Sequence, residues 1–367
     1  MSISTWEFGD EVLVERVTQS RYLLFDSKDE EVDTLKKKLL LINCSYDKLL
    51  VPYADDYGIG TKPITDRQKL RDLVHIINAA PVPPLYTVWD LFMDYPTKYD
   101  SALIAELKKM KRVTLSSHPT EKSIIQKPHE GLDYALAQYA TMSDTFLKYR
   151  LMYDNSVKYL PLRLYEALHP SSHKKFAGFV FSEGWWLNSF IVDLPIRRFH
   201  MDNNEITVWN VGEALDNFTP EEIQETVKGR LLVVGDFYEN DIHQTFLGEQ
   251  PGPLLMINTY LGIVKGRPKI TLLLFSLVFM LYFATTWYVL SRRNNERVLK
   301  VVMFRQKIGR FFLKYLTYIV VFTLFTVFVY VVTGQHLQLL LFALYFNVID
   351  FVENKYGDRI NRALKIG

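Results

Sequence analysis

Apolar and polar positions alternate along residues 36–268 in a way that predicts a sheet covered by helices. Short, nearly continuous apolar runs are typical of strands that are buried on both faces. The candidate strands of this kind are residues 39–43, 85–89, 112–115 and 230–236. Amphipathic helices are predicted at residues 66–79 and 101–110, and successive strand–helix units favour parallel pairing. The predicted fold class is therefore α/β, with a mixed, largely parallel sheet and covering helices.

The middle of this region is less regular. It contains predicted short helices at residues 163–168, 211–216 and 220–227, a strand at residues 190–193, and loops at residues 53–60 and 169–184. Residues 130–150 fit a hairpin and a helix equally well. Residues 1–35 form an N-terminal segment, and the charge run at residues 26–38 is typical of a solvated linker or helix face.

After residue 268, long apolar runs with very few charged residues replace the alternation. Three of them predict transmembrane helices, because about 20 apolar residues span the hydrocarbon core of a bilayer. They are residues 270–290, 315–333 and 336–352. The predicted transmembrane region is thus residues 269–352, and the fold class becomes α/β followed by three transmembrane α-helices.

The loop between the first two runs, residues 291–314, is rich in basic side chains. These are Arg292, Arg293, Arg297, Lys300, Arg305, Lys307, Arg310 and Lys314. By the positive-inside rule this loop and the tail, residues 353–367, are cytoplasmic, so residues 1–268 face the exterior. The prediction is a multi-pass protein of the bacterial inner (cytoplasmic) membrane, with a basic loop that also suits contact with anionic membrane lipid.

Composition narrows the classes of protein without naming one. The 367-residue chain has a net charge of +2 and a single cysteine, Cys44, which excludes an internal disulfide framework and a cysteine-rich metal site. Its opening residues predict no signal peptide, so export would need a preceding helix, a partner or another route, unless the topology is inverted. Known phosphate-loop, nucleophile-elbow and zinc-protease motifs are missing from the sequence, and nucleic-acid binding is not expected beside membrane spans.

Acidic side chains and a histidine follow the last predicted strand. Asp236, Asp241 and His243 lie just beyond its end. Asp90 ends another predicted strand, which places all of these at the edge where open α/β sheets bind ligands. They could hold a divalent metal ion, bind a small polar ligand, or act as acid and base in hydrolysis. In the alternative, both later aspartates bind backbone amides in a turn, Thr245 caps it and the histidine packs. Apart from that metal, no cofactor is predicted.

Residues 231–252, LLVVGDFYENDIHQTFLGEQPG, resemble the end of the CHASE domain of the second type, a cyclase- and histidine-kinase-associated sensory extracellular domain. The family has a strand ending in Gly-Asp, then Asp-x-His-x-Thr-x-x-Gly, then Pro-Gly and an apolar helix. The matching positions are Gly235, Asp236, Asp241, His243, Thr245, Gly248, Pro251 and Gly252, with residues 254–264 as the helix. Trp89-Asp90-Leu91-Phe92, with Asp94 behind it, agrees with an earlier part of the family. The resemblance spans about residues 36–265 and implies an extracytoplasmic sensory domain.

The sequence therefore predicts a membrane-anchored, non-enzymatic, receptor-like protein that binds an unidentified ligand. Its candidate ligand-binding residues are Asp236, Asp241, His243, Thr245, Asp90 and Asp94. The family's usual output domain does not follow, so a separate cytoplasmic or membrane protein would carry the signal, and the resemblance implies a homodimer. Two alternatives stay open: a structural subunit of a cell-envelope complex, and a metal-dependent envelope hydrolase.

Overall fold

The computed structural model describes residues 9–24, 29–55, 58–93, 95–119, 124–125, 129–138, 145–291, 323–336 and 345. The chain divides into two compact units. The sheet unit comprises Met1–Trp6 and Gln19–Gly266, and the second unit comprises Glu7–Thr18 and Arg267–Gly367. Each unit is described by itself below.

The described chain contains both helices and strands, most of them short. The helices are α1 (Gly9–Leu24), α2 (Glu30–Lys38), α3 (Arg67–Asn78), α4 (Asp100–Leu107), α5 (Leu160–Leu168), α6 (Arg198–Asp202), α7 (Val211–Asn217), α8 (Pro220–Val227), α9 (Gly252–Val264) and α10 (Leu272–Ser291). The strands are β1 (Leu39–Asn43), β2 (Lys48–Asp55), β3 (Gly58–Thr65), β4 (Tyr86–Asp90), β5 (Val113–Ser117), β6 (Tyr134–Leu136), β7 (Lys148–Arg150), β8 (Lys174–Phe176), β9 (Phe179–Phe181), β10 (Trp185–Leu187), β11 (Ser189–Ile191), β12 (Thr207–Asn210), β13 (Leu231–Gly235), β14 (Ile242–Thr245) and β15 (Gly248–Pro251).

A six-stranded sheet with the order β12-β1-β13-β4-β5-β6 forms the centre of the sheet unit. Every neighbouring pair in it is parallel. The predicted α/β fold with a parallel sheet is therefore present. Of the six strands, β13 comes last along the chain but lies between β1 and β4, and its Gly235 pairs with Asn43 on one side and Asp90 on the other.

Helices cover both faces of this sheet, because successive residues of a strand point to opposite faces. Leu40 and Ile42 of β1 pack in one cluster with side chains of α3, α4, α7 and α8. Leu39 and Leu41 pack in the other with side chains of α2, α5, α6 and α9. Since both faces are buried, β1 needs apolar residues at consecutive positions, and it has them.

The short antiparallel strands belong to a third apolar cluster in the same unit. Val180 of β9, Trp186 of β10 and Phe190 of β11 pack there with Leu255 and Ile263 of α9. Other side chains of α9 pack against the sheet. Because α9 is covered on two sides, 11 of its residues are buried, which accounts for an apolar sequence without a polar stripe.

Several elements differ from the sequence predictions. Residues 53–55 and 58–60 of a predicted loop belong to the antiparallel pair β2–β3, and the predicted loop at residues 169–184 contains β8 and β9. The predicted strand at residues 190–193 is β11, which pairs with β7 outside the central sheet. Strand β12 and helix α1 were not predicted. The sheet edge at β12 is built from the short run TVWN, which carries too few residues for a periodic pattern.

The prediction of three transmembrane helices is wrong on the present structure. A crossing requires about 20 predominantly apolar residues in one helix. None of the helices in the described part of the chain combines that length with that apolarity. Helix α10 overlaps the first predicted span, the described helix in the second covers only residues 323–333, and most of the third lies outside the described residues. The same finding contradicts the predicted multi-pass inner-membrane location.

Within the second unit, the segment that follows the helix at residues 323–333 is hydrogen-bonded to residues 267 and 269. Gln335 Nε2 donates to the carbonyl oxygens of Arg267 and Lys269 at 3.2 and 2.5 Å. Gly334 adopts a φ of 73°, a conformation that glycine reaches without steric strain.

Candidate ligand-binding site

Polar residues end the strands at the carboxyl edge of the central sheet. Strand β4 ends at Asp90, His118 directly follows β5, and Gln138 follows β6 by two residues. Parallel strands bring these ends to one edge, and β13 and β4 lie where the chain order of the sheet changes. Open α/β sheets bind ligands outside the carboxyl ends of their strands at such a switch point.

A cavity of about 540 Å³ lies at this edge, a size that fits a small-molecule site. Its described lining consists of Asp90, Phe92, His118, Pro119, Ala137, Gln138, Tyr149, Asp241, His243 and Gly252. The Phe92 and His118 rings stack on each other, and the Tyr149 hydroxyl donates to the Ala137 carbonyl at 2.8 Å. The wall is therefore partly aromatic and partly polar.

Asp241 and His243 form a pair in this wall, with Asp241 Oδ1 and His243 Nε2 separated by 2.6 Å. The Gly252 amide donates to the Asp241 carbonyl at 2.7 Å, so the aspartate is held at the first residue of α9. A Cβ at position 252 would clash with the Asp241 carboxylate. A larger residue there would therefore displace the Asp241 carboxylate. The amino end of a helix also favours a negative charge beside it.

Asp90 lies in the same wall and is partly exposed. Burial, reinforced by the negative charge of Asp241, raises the pKa of Asp90 well above its ordinary range. Asp90 therefore keeps its proton to a higher pH than a solvated aspartate does. The cavity offers a carboxyl group that can donate a hydrogen bond and a carboxylate that accepts them.

Apart from the histidines, the residues of the described lining that carry a charge are acidic. Two aspartates and two histidines line the cavity, and none of the described lining residues is a lysine or arginine. An anionic ligand would meet the Asp241 carboxylate with no fixed positive charge in this part of the wall. The arrangement therefore suits a ligand that brings a positive charge or several hydrogen-bond donors.

Asp236 is not among the described residues that line this cavity. It is held in a turn instead. Its Oδ1 accepts from Ser45 Oγ at 2.5 Å and from the Glu239 amide at 2.9 Å, and its Oδ2 accepts from Asn240 at 2.9 Å. Burial alone would raise the pKa of Asp236, but these hydrogen bonds and the Lys48 ammonium lower it to about 2. The turn role, one of the two alternatives from the sequence, describes Asp236.

Thr245 has a comparable structural task in the β14–β15 hairpin. Its hydroxyl donates to the Gly248 carbonyl at 2.6 Å and accepts from the Leu247 amide at 3.1 Å. Asp94 lies outside the described residues, and so do the basic residues of the predicted loop: Arg292, Arg293, Arg297, Lys300, Arg305, Lys307, Arg310 and Lys314. Of the candidate ligand-binding residues, the structure thus brings together Asp90, Asp241 and His243.

A metal ion finds no complete ligand set in the described chain. Across the described ranges, no group of three or more His, Cys, Asp or Glu side chains is arranged to hold one. Asp236 is engaged in its turn, which leaves Asp241 and His243 as a pair. The divalent metal at Asp236, Asp241 and His243 stays a prediction.

Several lining residues were not among the sequence candidates. His118 follows β5, whose carboxyl end belongs to the same edge as Asp90, so its position after a predicted strand was a usable signal. Tyr149 comes from β7, which pairs with β11 outside the central sheet. No local pattern in the sequence indicates that this strand reaches the cavity.

Comparison with known proteins leaves the family open. No protein-family model matches this chain, and neither a curated protein nor a solved structure does so. The resemblance to the CHASE domain of the second type therefore stays a prediction, and these comparisons add no support for a sensory role.

Proposed function

We propose that the sheet unit is a non-enzymatic binding domain that takes a small cationic ligand, such as an organic amine, in the cavity at the carboxyl edge of its sheet. The observation that carries the proposal is the Asp90, Asp241 and His243 group in the wall of a cavity of about 540 Å³. This agrees with the ligand-binding role that the family resemblance implies. A separate output protein and a homodimer remain part of that expectation.

The carboxylate of Asp241 is the anchor for the ligand's charge. Its Oδ1 is paired with His243, and its position is fixed by the contact with Gly252. An ammonium group next to it would gain a charge-assisted hydrogen bond in a partly enclosed site. Phe92 and Tyr149 provide aromatic surface, which also attracts cations.

Asp90 makes this binding dependent on pH. Its pKa is raised by burial and by the charge of Asp241, so the proton must leave before Asp90 can pair with a cation. A bound cation favours the ionised form and lowers the pKa again. We expect the affinity for amines to rise with pH up to the range in which Asp90 ionises in the unliganded protein.

The proposal is tested with the full chain and a panel of amines, namely choline, agmatine and spermidine, with glutarate as the anionic counterpart. Thermal shift and isothermal titration calorimetry should show stabilisation by at least one amine and none by glutarate. Asp241→Asn should remove the response, while Asp202→Asn, an exposed aspartate of α6, should retain it. The amine recovered by mass spectrometry should be chemically unchanged.

Three results would contradict the proposal. An amine response that survives Asp241→Asn would place the binding elsewhere. Stabilisation by glutarate alone would reverse the sign of the ligand, and conversion of the amine would make the protein an enzyme. Circular dichroism of each variant separates loss of binding from loss of folding. His243→Gln changes the other member of the Asp241–His243 pair and provides a second variant for the same comparison.

A further inference from the structure

A second cavity, of about 500 Å³, lies at the opposite edge of the central sheet, where β4 and β5 begin. The end of α3, the segment at residues 80–85 and the α4–β5 connection form its walls. Its lining includes Ile77, Pro81, Pro84, Thr87, Met110 and Lys111. None of these residues belongs to the cavity at the carboxyl edge.

Thr87 belongs to the lining of this cavity, and its hydroxyl has no hydrogen-bond partner among the described residues. Thr87 is 1% exposed, and its Oγ1 is among the buried polar atoms for which the described structure provides no hydrogen bond. Buried hydroxyl groups are nearly always hydrogen-bonded, because losing water without a replacement is unfavourable. A polar atom of a ligand in the cavity would supply the missing bond.

Prolines make much of the surrounding wall apolar and rigid. Pro81, Pro83 and Pro84 all line the cavity, together with Val82 and Met110. Proline has a fixed φ and no N–H group, so such a segment presents a preformed surface with few donors. This wall fits the apolar body of a small molecule rather than a hydrated ion.

Basic side chains stand around the same cavity. Lys111 and Arg112 are exposed, and no carboxylate in the described part of the chain forms an ion pair with either. Arg112 does donate to the Leu85 carbonyl at 3.4 Å, which keeps its side chain beside the cavity. Lys109 differs, because it pairs with Glu106 at 2.7 Å.

Two sources of negative charge lie nearby, and both already have partners. Glu106 accepts hydrogen bonds from Lys109 and Asn78 and contacts His75, which together lower its pKa to about 2 although burial acts the other way. The last carbonyls of α3 accept from the amides of Ala79 and Ala80. Lys111 and Arg112 therefore leave a net positive charge at the cavity.

We propose that this second cavity binds a small aromatic or aliphatic carboxylate that carries a polar atom at its other end. The carboxylate would pair with Lys111 and Arg112, the apolar body would lie on the proline wall, and the far polar atom would hydrogen-bond to Thr87. The site is independent of the cation-binding proposal.

The probe is 4-hydroxybenzoate, which has a carboxylate and a hydroxyl at opposite ends of an apolar ring. Isothermal titration calorimetry on the full chain should give saturable binding. The charge-free analogue 4-hydroxybenzamide and the hydroxyl-free analogue benzoate should each bind more weakly. Lys111→Gln combined with Arg112→Gln should weaken 4-hydroxybenzoate binding by about tenfold or more, the scale of charge-assisted hydrogen bonds.

Thr87→Val provides the discriminating variant, because valine has nearly the same shape without the hydroxyl. It should weaken 4-hydroxybenzoate, leave benzoate unchanged, and preserve or raise the stability of the unliganded protein. The matched control is Lys174→Gln, an exposed lysine of β8. Absence of saturable binding at millimolar probe, or binding that survives the Lys111 and Arg112 changes, would overturn the proposal. Asp241→Asn should leave this binding intact, which separates it from the other cavity.

Discussion

Asp236, Asp241 and Asp90 follow or end strands at one edge of the sheet, and their surroundings give them different roles. Asp236 is surrounded by donors and its pKa falls to about 2. Partial burial of Asp90 beside another carboxylate raises its pKa. Asp241 stands against Gly252 and pairs with His243. The residue type alone therefore does not decide whether a carboxyl group holds a turn or faces a ligand.

The turn role of Asp236 predicts a pH-dependent loss of stability on substitution. A lowered pKa means that the carboxylate stabilises the folded state above about pH 4, and that this contribution is lost as pH falls toward 2. Asp236→Asn should lower the free energy of unfolding by about 2 kcal/mol at pH 7, and by roughly half as much at pH 3, which lies between the folded-state and unfolded-state pKa values. Urea unfolding at both pH values measures this. An equal loss at both would show that packing, not charge, is responsible.

Asp90 should behave in the opposite way. Because its pKa is raised, the folded state binds its proton more tightly than the unfolded state does, so stability falls as pH rises above about 4 toward the folded-state pKa. Asp90→Asn removes this titration. The variant should therefore gain melting temperature relative to the natural protein at pH 8 and gain less at pH 5. A constant difference between the two proteins would contradict the raised pKa.

At the scale of elements, the start of α9 connects the sheet to the candidate site. A Cβ at Gly235 would lie 2.6 Å from Pro253 Cγ, and one at Gly252 would clash with the Asp241 carboxylate. The two glycines therefore allow α9 to approach β13 and the aspartate to reach the helix end. The Gly-Asp and Pro-Gly pairs noticed in the sequence have a steric explanation that needs no ligand.

Adding a methyl group at Gly252 tests this close approach. Gly252→Ala should destabilise the sheet unit by about 1–3 kcal/mol, the usual range for overpacking, and should also weaken the amine response by displacing Asp241. Gly60→Ala is the matched control, because a Cβ there meets nothing within 4 Å. Chemical unfolding and calorimetry provide the two measurements. If the Gly252→Ala protein is as stable as the control, the start of α9 accommodates a Cβ without a steric cost, which would contradict this prediction.

Elements with strong local signals could be predicted, and those defined by distant partners could not. Helix α8 has the predicted bounds, because Thr219 and Glu222 form a capping box and proline follows the cap. Strand β1 has an unbroken apolar run. Strand β12 pairs with β1, which is far away in the sequence. Strands β2 and β3 each contain a proline. Local sequence patterns therefore did not predict these strands.

The same limit applies to the candidate site. Asp90, Asp241 and His243 could be selected because strand ends predict the ligand-binding edge of an α/β sheet. Grouping Asp236 with them was not justified by the sequence, since its partners Ser45 and Asn240 become visible only in the folded chain. Tyr149 reaches the cavity through a strand pairing that no periodicity indicates.

At the scale of the whole molecule, the three apolar clusters of the sheet unit lie between residues 32 and 263. We therefore expect Gln19–Gly266 to fold when produced alone. It should unfold in one cooperative transition by circular dichroism and should keep the amine response. An isolated sheet unit that aggregates or melts without a transition would show that its stability depends on residues beyond this range.

The position of β13 has a consequence for synthesis. Residues 231–235 fill the place between β1 and β4, so a ribosome must produce nearly the entire sheet unit before these two earlier strands acquire their shared neighbour. Until then each presents an open backbone edge to other growing chains. We expect translation of this region to engage chaperones that shield unpaired strands, and release of the nascent chain from them to coincide with emergence of the segment RLLVVG.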